Sequence, residues 1–287
     1  MRAGTRISSR PIGVFDSGMG GLTVVRRMQE LLPDEGIVYI ADQAHVPYGG
    51  LELREIHGFA TAISAALVAA GCKAVVMACN ISSATALGAV QSAYPAIPVL
   101  GMIRPGAEAA LARTQNGKIG VLATEGTVRS GAYTSTLRAV APELTVIEVA
   151  CPLFVPLVEA GEEASPQARY AAESYLAPLV ARDVDTVVLG CTHYPFLVPV
   201  LQELQPQLTY IDPAELTVRT LADLLSRRHM RAPALAFGQH IPHLLTTGDR
   251  TAYAAQLRRF LPESAAIACI QQALWRDGEL RLPDLGH

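Results

Sequence analysis

Short apolar runs that end in glycine and small polar residues recur along this chain, separated by stretches with apolar residues at helical spacing. Pro11 to Phe15 reads as a first strand, closed by the turn Asp16-Ser17-Gly18-Met19-Gly20-Gly21. Leu22, Val25, Met28, Leu31 and Leu32 then mark the apolar face of a helix. After the turn Pro33-Asp34-Glu35-Gly36 comes a second strand, Ile37 to Ile40, and a polar loop running to Pro47-Tyr48-Gly49-Gly50. An Ala-rich helix is predicted from Leu53 to Ala70, with Gly71 as its C-terminal stop. The apolar run Val75-Val76-Met77-Ala78 delivers Cys79 to a strand end, a helix follows from Ser83 to Tyr94, and Val99-Leu100 is a short strand. Strands alternating with helices predict an α/β fold with a parallel sheet wrapped by helices.

The pattern then restarts. Lys118 to Thr124 repeats the Ile-Gly-Val of the opening strand, and Glu125-Gly126-Thr127 parallels Asp16-Ser17-Gly18. The run Val187-Val188-Leu189-Gly190 delivers Cys191 as the earlier run delivers Cys79, at nearly the same offset from its Ile-Gly-Val. The reading is a two-fold repeat: two pseudo-symmetric domains, each a mostly parallel sheet flanked by helices, with a cleft between them. Residues 11–101 with 212–275 are expected as the first domain, 102–211 as the second, and 1–10 and 276–287 as flexible termini. A helix from Phe196 to Leu204, a strand from Leu208 to Ile211 and a helix from Ala214 to Arg228 complete the second half and return to the first. Residues from Met230 to His240 read as loop, His243 to Thr247 as a late strand and Arg250 to Phe260 as a last helix.

Composition narrows the function. Half of the 287 residues are hydrophobic, enough for one large or two modest cores. Charged residues are 17% and the net charge is −3, so no basic field recruits nucleic acid. No apolar run reaches membrane-spanning length, and the N-terminal residues carry arginines without an apolar signal core, so a cytoplasmic protein acting on a small molecule is expected. The five cysteines are odd in number and scattered, which argues against a disulfide framework. Cys72, Cys151 and Cys269 read as packing residues.

Cys79 and Cys191 are different, because each sits where an open α/β sheet binds ligands. A thiolate can take a proton and a thiol can return one, once the pKa is brought near working pH. Strand ends that face helix N-termini supply a field favouring the anion. One sulfur on each face of a bound carbon inverts a stereocentre without any cofactor. His193, two residues beyond Cys191, can polarise that thiol or act as general acid or base. Cys191 and His193 lack the second ligand pair a zinc site needs, so no metal is expected. The turn at Asp16 fits neither phosphate-loop spacing, and a carboxylate in its first position would repel a phosphate. It serves better to set Asp16 and Ser17 at the sheet edge, with Ser17 facing a substrate amino or carboxylate group.

Phe15-Asp16-Ser17-Gly18, Pro47-Tyr48-Gly49, Ala78-Cys79-Asn80, Ala123-Thr124 with Thr127, Cys151 to Glu159, Gly190 to Pro195 and Thr246-Thr247-Gly248-Asp249 together resemble the glutamate racemases of the aspartate/glutamate racemase superfamily. The matches run in order over nearly the whole chain. The resemblance implies a cofactor-independent, two-thiol racemase that makes D-glutamate for cell-wall peptidoglycan, with Cys79 serving the D-enantiomer and Cys191 the L-enantiomer. It further implies that Asp16 supports Cys79, that His193 and Glu159 support Cys191, and that Ser17, Pro47, Tyr48, Gly49, Asn80, Ile81, Thr124, Thr127 and Thr192 hold the substrate. Relatives that pair suggest a homodimer.

The chain also departs from the family pattern. Ile81 stands where the family carries threonine, leaving the Ile81 N–H and the Ser82 hydroxyl to serve there. Ala41-Asp42-Gln43-Ala44-His45 replaces a Gly-Asp-Thr-Ala-Arg type stretch, and Leu51-Glu52 replaces Lys-Ser. These differences open two alternatives: a racemase for aspartate or another amino acid, or a catalytically weakened relative acting as a binding protein such as a gyrase inhibitor.

Overall fold

The computed structural model describes residues 9–234, 241–261 and 270–285. Cys269, most of the expected N-terminal extension and the 235–240 part of the expected loop lie outside the described residues. The first half runs β1 (Ile12–Asp16), α1 (Leu22–Leu31), β2 (Ile37–Ala41), α2 (Leu53–Ala69), β3 (Ala74–Met77), α3 (Asn80–Ala93), β4 (Val99–Gly101) and α4 (Ile103–Leu111). The second runs β5 (Lys118–Ala123), α5 (Glu125–Ser130), α6 (Ala132–Val140), β6 (Thr145–Ala150), α7 (Phe154–Ala160), α8 (Pro166–Val180), β7 (Thr186–Gly190), α9 (Val198–Leu204) and β8 (Thr209–Ile211). The chain then returns through α10 (Pro213–Arg227), which packs on α1 and α4, to β9 (His243–Thr246), α11 (Arg250–Phe260) and β10 (Ile270–Gln272).

Among the described residues the two large sheets are wholly parallel and share one strand order. Within the described residues the first is β10-β9-β2-β1-β3-β4 and the second β6-β5-β7-β8, so the core order of each half is second, first, third, fourth. Strands β9 and β10 extend the first sheet beyond β2. In this order the direction in which strands are added to the sheet reverses between the first and third strands, the crevice where open α/β sheets bind ligands. Cys79 follows β3 and Cys191 follows β7, so each sulfur stands at that point of its own half.

The repeated Ile-Gly-Val has a packing cause. A Cβ on Gly13 in β1 would lie 3.0 Å from the Leu67 side chain of α2, and one on Gly120 in β5 would lie 2.8 Å from Leu179 of α8. In each half the central strand carries a glycine so that one leucine of the covering helix can settle onto the sheet.

Two elements differ from their sequence reading. Helix α3 starts at Asn80 rather than Ser83, with Cys79 as its N-cap residue. The Ser83 hydroxyl donates back to the Met77 and Cys79 carbonyls, at 2.9 and 3.0 Å, and accepts from the Met102 N–H at 3.1 Å, so it sits inside the helix rather than opening it. Residues 276–285, expected in a flexible tail, are folded: β11 (Leu274–Arg276) and β12 (Glu279–Arg281) pair antiparallel. Asp277 and Gly278, at φ 52° and 80°, form the tight connection, and two positive-φ residues are the type I′ requirement that an Asp-Gly pair satisfies. Leu280 and Leu285 bury in the same cluster as Leu67 of α2. Among the described residues no helix is long and apolar enough to cross a membrane.

At the amino ends of β2 and β3 in the first sheet, Lys73 and Glu35 form a fully buried ion pair at 2.5 Å. Lys73 Nζ also donates to the Met230 carbonyl at 2.8 Å and Glu35 accepts from the Ala232 N–H at 2.9 Å, so the pair ties the return segment to the roots of β2 and β3. Burial lowers the Lys73 pKa against the pull of Glu35. Removing one charge strands the other: Glu35→Ala should cost about 3 kcal/mol or more of unfolding free energy, read from the urea midpoint at unchanged slope. A loss below about 1 kcal/mol would show that the pair is not what anchors this segment.

Candidate active site

A cavity of about 410 Å³ opens between the carboxyl ends of the two sheets. Of the residues expected in the site, Ser17, Pro47, Tyr48, Gly49, Cys79, Asn80, Ile81, Thr124, Thr127, Glu159, Cys191, Thr192 and His193 all line it. Asp16 is the exception. It ends β1, is 1% exposed, and reaches the cavity only through its neighbours.

The Asp16 carboxylate organises the first wall. Its Oδ2 accepts the Gly18 and Gly21 N–H groups, each at 3.1 Å, so the turn spends its backbone donors on its own carboxylate. Its Oδ1 accepts from the Thr192 hydroxyl of the other domain at 3.4 Å. Thr23 Oγ1 lies 3.4 Å from the Thr192 carbonyl and completes this seam. The approach is so close that a Cβ on Gly20 would sit 2.3 Å from Thr192 Oγ1 and 2.5 Å from His193 Nδ1. Glycine there is a condition of the two domains meeting.

The two sulfurs stand in unlike surroundings. Cys79 caps α3 and its thiol lies 3.9 Å from the Ser17 hydroxyl. Burial first, then the negative charge of Asp16, push this thiol up to about 12; Ser82 pulls the other way and is outweighed. The expected tuning of Cys79 by its helix terminus is therefore overridden by burial. The Ser82 hydroxyl is fully buried rather than offered to the cavity, so it does not replace the hydroxyl that Ile81 lacks. Cys191 lies 3.7 Å from His193 Nδ1, and His193 Nε2 is 3.2 Å from Glu159 Oε1. Burial by itself would lower His193, but the hydrogen bonds to Cys191 and Glu159 prevail and push it up to about 10. Burial also raises Asp16 above its ordinary value, against the pull of His193 and of the Gly18 and Gly21 N–H groups.

Several neighbours fix the lining groups. Tyr133 donates to Asn80 Oδ1 at 2.7 Å, which leaves the Asn80 amide hydrogens for a ligand. Thr124 and Thr127 share a hydroxyl hydrogen bond at 3.1 Å. The Tyr48 hydroxyl donates to Asp42 at 2.5 Å, so Tyr48 offers the cavity its ring and backbone rather than its phenol. Sequence reasoning missed Tyr133, which lies 53 positions from Asn80. It also treated Cys151 as pure packing, whereas this buried cysteine borders the cavity beside Pro152 and Val155. Burial raises the Cys151 thiol strongly, as it raises Cys72 to about 12. Among the described residues no group of three or more His, Cys, Asp or Glu side chains is arranged to hold a metal ion.

Asp16→Asn removes the negative charge that, after burial, holds the Cys79 thiol up. The thiolate fraction at a fixed mildly alkaline pH should then rise, and iodoacetamide should label Cys79 about 3- to 10-fold faster, followed by mass spectrometry of its peptide. An unchanged or slower rate would mean that burial alone sets this thiol.

Residues 12–221 match the Asp/Glu/Hydantoin racemase family. A glutamate racemase of Symbiobacterium thermophilum is 43% identical over 244 residues, covering 84% of this chain and 87% of that protein. The crystal structure of the Thermus thermophilus glutamate racemase in complex with β-chloro-D-alanine aligns at a TM-score of 0.83 and 38% identity, covering 93% of this chain and 98% of that one. The Francisella tularensis glutamate racemase in complex with D-glutamate aligns at a TM-score of 0.85 and 30% identity, covering 92% and 97%. With two α/β domains closing on paired strand-end thiols, and with likeness over nearly its full length, this chain belongs to the Asp/Glu/Hydantoin racemase family.

Proposed function

We propose that the protein is a glutamate racemase that interconverts L- and D-glutamate by proton transfer through Cys79 and Cys191. One observation carries the reading: the two thiols end equivalent strands of the two sheets and line one cavity. Racemisation needs a base on one face of the α-carbon and an acid on the other, both within reach of one bound molecule. In this reading Cys79 as thiolate takes the α-proton of the D-enantiomer while the Cys191 thiol delivers a proton to the opposite face, and the two exchange roles for the L-enantiomer.

The surroundings of the sulfurs support a division of labour. His193, held by Glu159, is the proton partner of Cys191. On the other side a substrate ammonium entering near Asp16 and Cys79 brings the positive charge that this wall lacks. That charge offsets part of what holds the Cys79 thiol up. Ser17, Thr192 and the Asn80 amide are the polar groups for the amino and α-carboxylate ends. The Thr124 and Thr127 hydroxyls, with the Pro47-Tyr48-Gly49 loop, serve the second carboxylate. Residues 11–101 with 212–275 are taken as one domain and 102–211 as the other, a division supported by the strands each sheet contains. The reading is of a cytoplasmic homodimer whose D-glutamate supplies peptidoglycan. Ile81, which lines the cavity where the family pattern has threonine, favours a second reading, a racemase for a different amino acid.

Cys79→Ser and Cys191→Ser should each reduce racemisation by about 10³-fold or more, since each removes the acid–base group of one face. The loss of ellipticity of L-glutamate with time measures this, and undiminished rates in both variants would end the two-thiol mechanism. Deuterium exchange at the α-carbon of glutamate, aspartate and glutamine separates the two substrate readings: exchange fastest on glutamate is expected.

A further inference from the structure

The loop that carries Tyr48 and Gly49 into the cleft is held from behind by the C-terminal hairpin. Its anchor is Asp42, at the end of β2, which is wholly buried. Oδ1 accepts from Trp275 Nε1 at 2.7 Å and from the Thr247 hydroxyl at 2.8 Å. Oδ2 accepts from the Tyr48 hydroxyl at 2.5 Å and lies 2.9 Å from His45 Nδ1. The Thr247 hydroxyl accepts in turn from the Ala44 N–H at 2.9 Å. Above the carboxylate the rings close a box: His45 stacks on Phe59 at 3.8 Å, and Trp275 meets both edge-on at 5.1 and 5.5 Å.

The far side of the same loop leans on the other domain. A Cβ on Gly49 would touch Thr124 at 3.4 Å, and Arg129 donates to the Leu51 carbonyl at 2.7 Å. Residues 43–51 therefore form a strap across the cleft mouth, fastened at one end to α5 and at the other to Asp42. The second fastening draws on Trp275, 233 positions away, which does not line the cavity. A hydrogen bond to a buried carboxylate is a strong one, and leaving that oxygen short of a donor loosens what it holds.

The geometry points to Trp275 as a positioning residue for substrate binding: its indole N–H, through Asp42, holds the Tyr48–Gly49 strap in the conformation that completes the cleft. The inference rests on the racemase reading above. It accounts for the folded C-terminal hairpin and for the Thr246-Thr247-Gly248-Asp249 motif, neither of which the chemistry of the sulfurs uses. Because the strap touches substrate but not the proton transfers, loosening it lowers the fraction of protein competent to bind and leaves the bound complex reacting as before.

Trp275→Phe keeps an aromatic ring at this place and deletes the N–H. It should raise KM for both enantiomers of glutamate about 5-fold with kcat within about twofold, while Leu274→Ala, on the same hairpin but exposed, changes neither. Trp275 is the single tryptophan of the chain, so its emission in the unaltered enzyme should change saturably with glutamate at a midpoint that follows KM. A Trp275→Phe variant with lowered Tm but unchanged KM, or emission flat through saturation, would overturn the role of Trp275 alone. An unaltered enzyme that exchanges no α-proton of glutamate would instead overturn the racemase reading, and this inference with it.

Discussion

A carboxylate buried at the seam between two domains sets the terms for this molecule. Asp16 takes two backbone N–H groups from its own turn and a hydroxyl from Thr192 across the seam, and it is raised by the burial those contacts enforce. Its charge acts on Cys79 from one side and on His193 from the other. The seam closes only because Gly20 has no side chain to push Thr192 and His193 away. Local backbone geometry, domain approach and the electrostatics of Cys79 and His193 thus share one group.

A symmetric scaffold here carries asymmetric chemistry. The sheets repeat the same strand order, and the Gly13–Leu67 and Gly120–Leu179 contacts repeat the same packing. Yet one sulfur faces a hydroxyl and a nearby carboxylate, the other an imidazole braced by a second carboxylate. Equivalent strands therefore present their sulfurs to unlike neighbours, and the two walls of the cavity are not mirror images of one another. Equivalent strand ends supply position, whereas the charges come from non-equivalent places, Asp16 from the end of β1 and Glu159 from α7, so the repeat holds for the former and not for the latter.

Much of the architecture could be read before the fold was seen, because parallel strands buried on both faces stand out as short apolar runs between turns. The sulfurs at Cys79 and Cys191, the Asp16 turn and His193 followed from that reading. Other parts did not. Ser83 looked like a helix opening because serine favours caps, but its hydroxyl is consumed by Met77, Cys79 and Met102, and Cys79 takes the cap position. The terminal hairpin carried a legible signal, Asp277-Gly278, yet its strands are too short to show an alternating pattern. Glu159 became meaningful by resemblance alone, since a single acid on a helix carries no local sign of a partner 34 positions away.

The order of residues along the chain was sufficient for the alternating elements, the internal repeat and the two strand-end thiols, because periodicity and turn chemistry are local and act within a few residues. The folded chain was required for the raised Cys79 thiol, for the pairing of Cys191 with His193, for the Tyr133 hold on Asn80 and for the strap fastened by Trp275. These depend on burial and on contacts between residues tens to hundreds of positions apart, and neither a desolvation cost nor a hydrogen bond between distant segments exists until the sheets have been laid face to face.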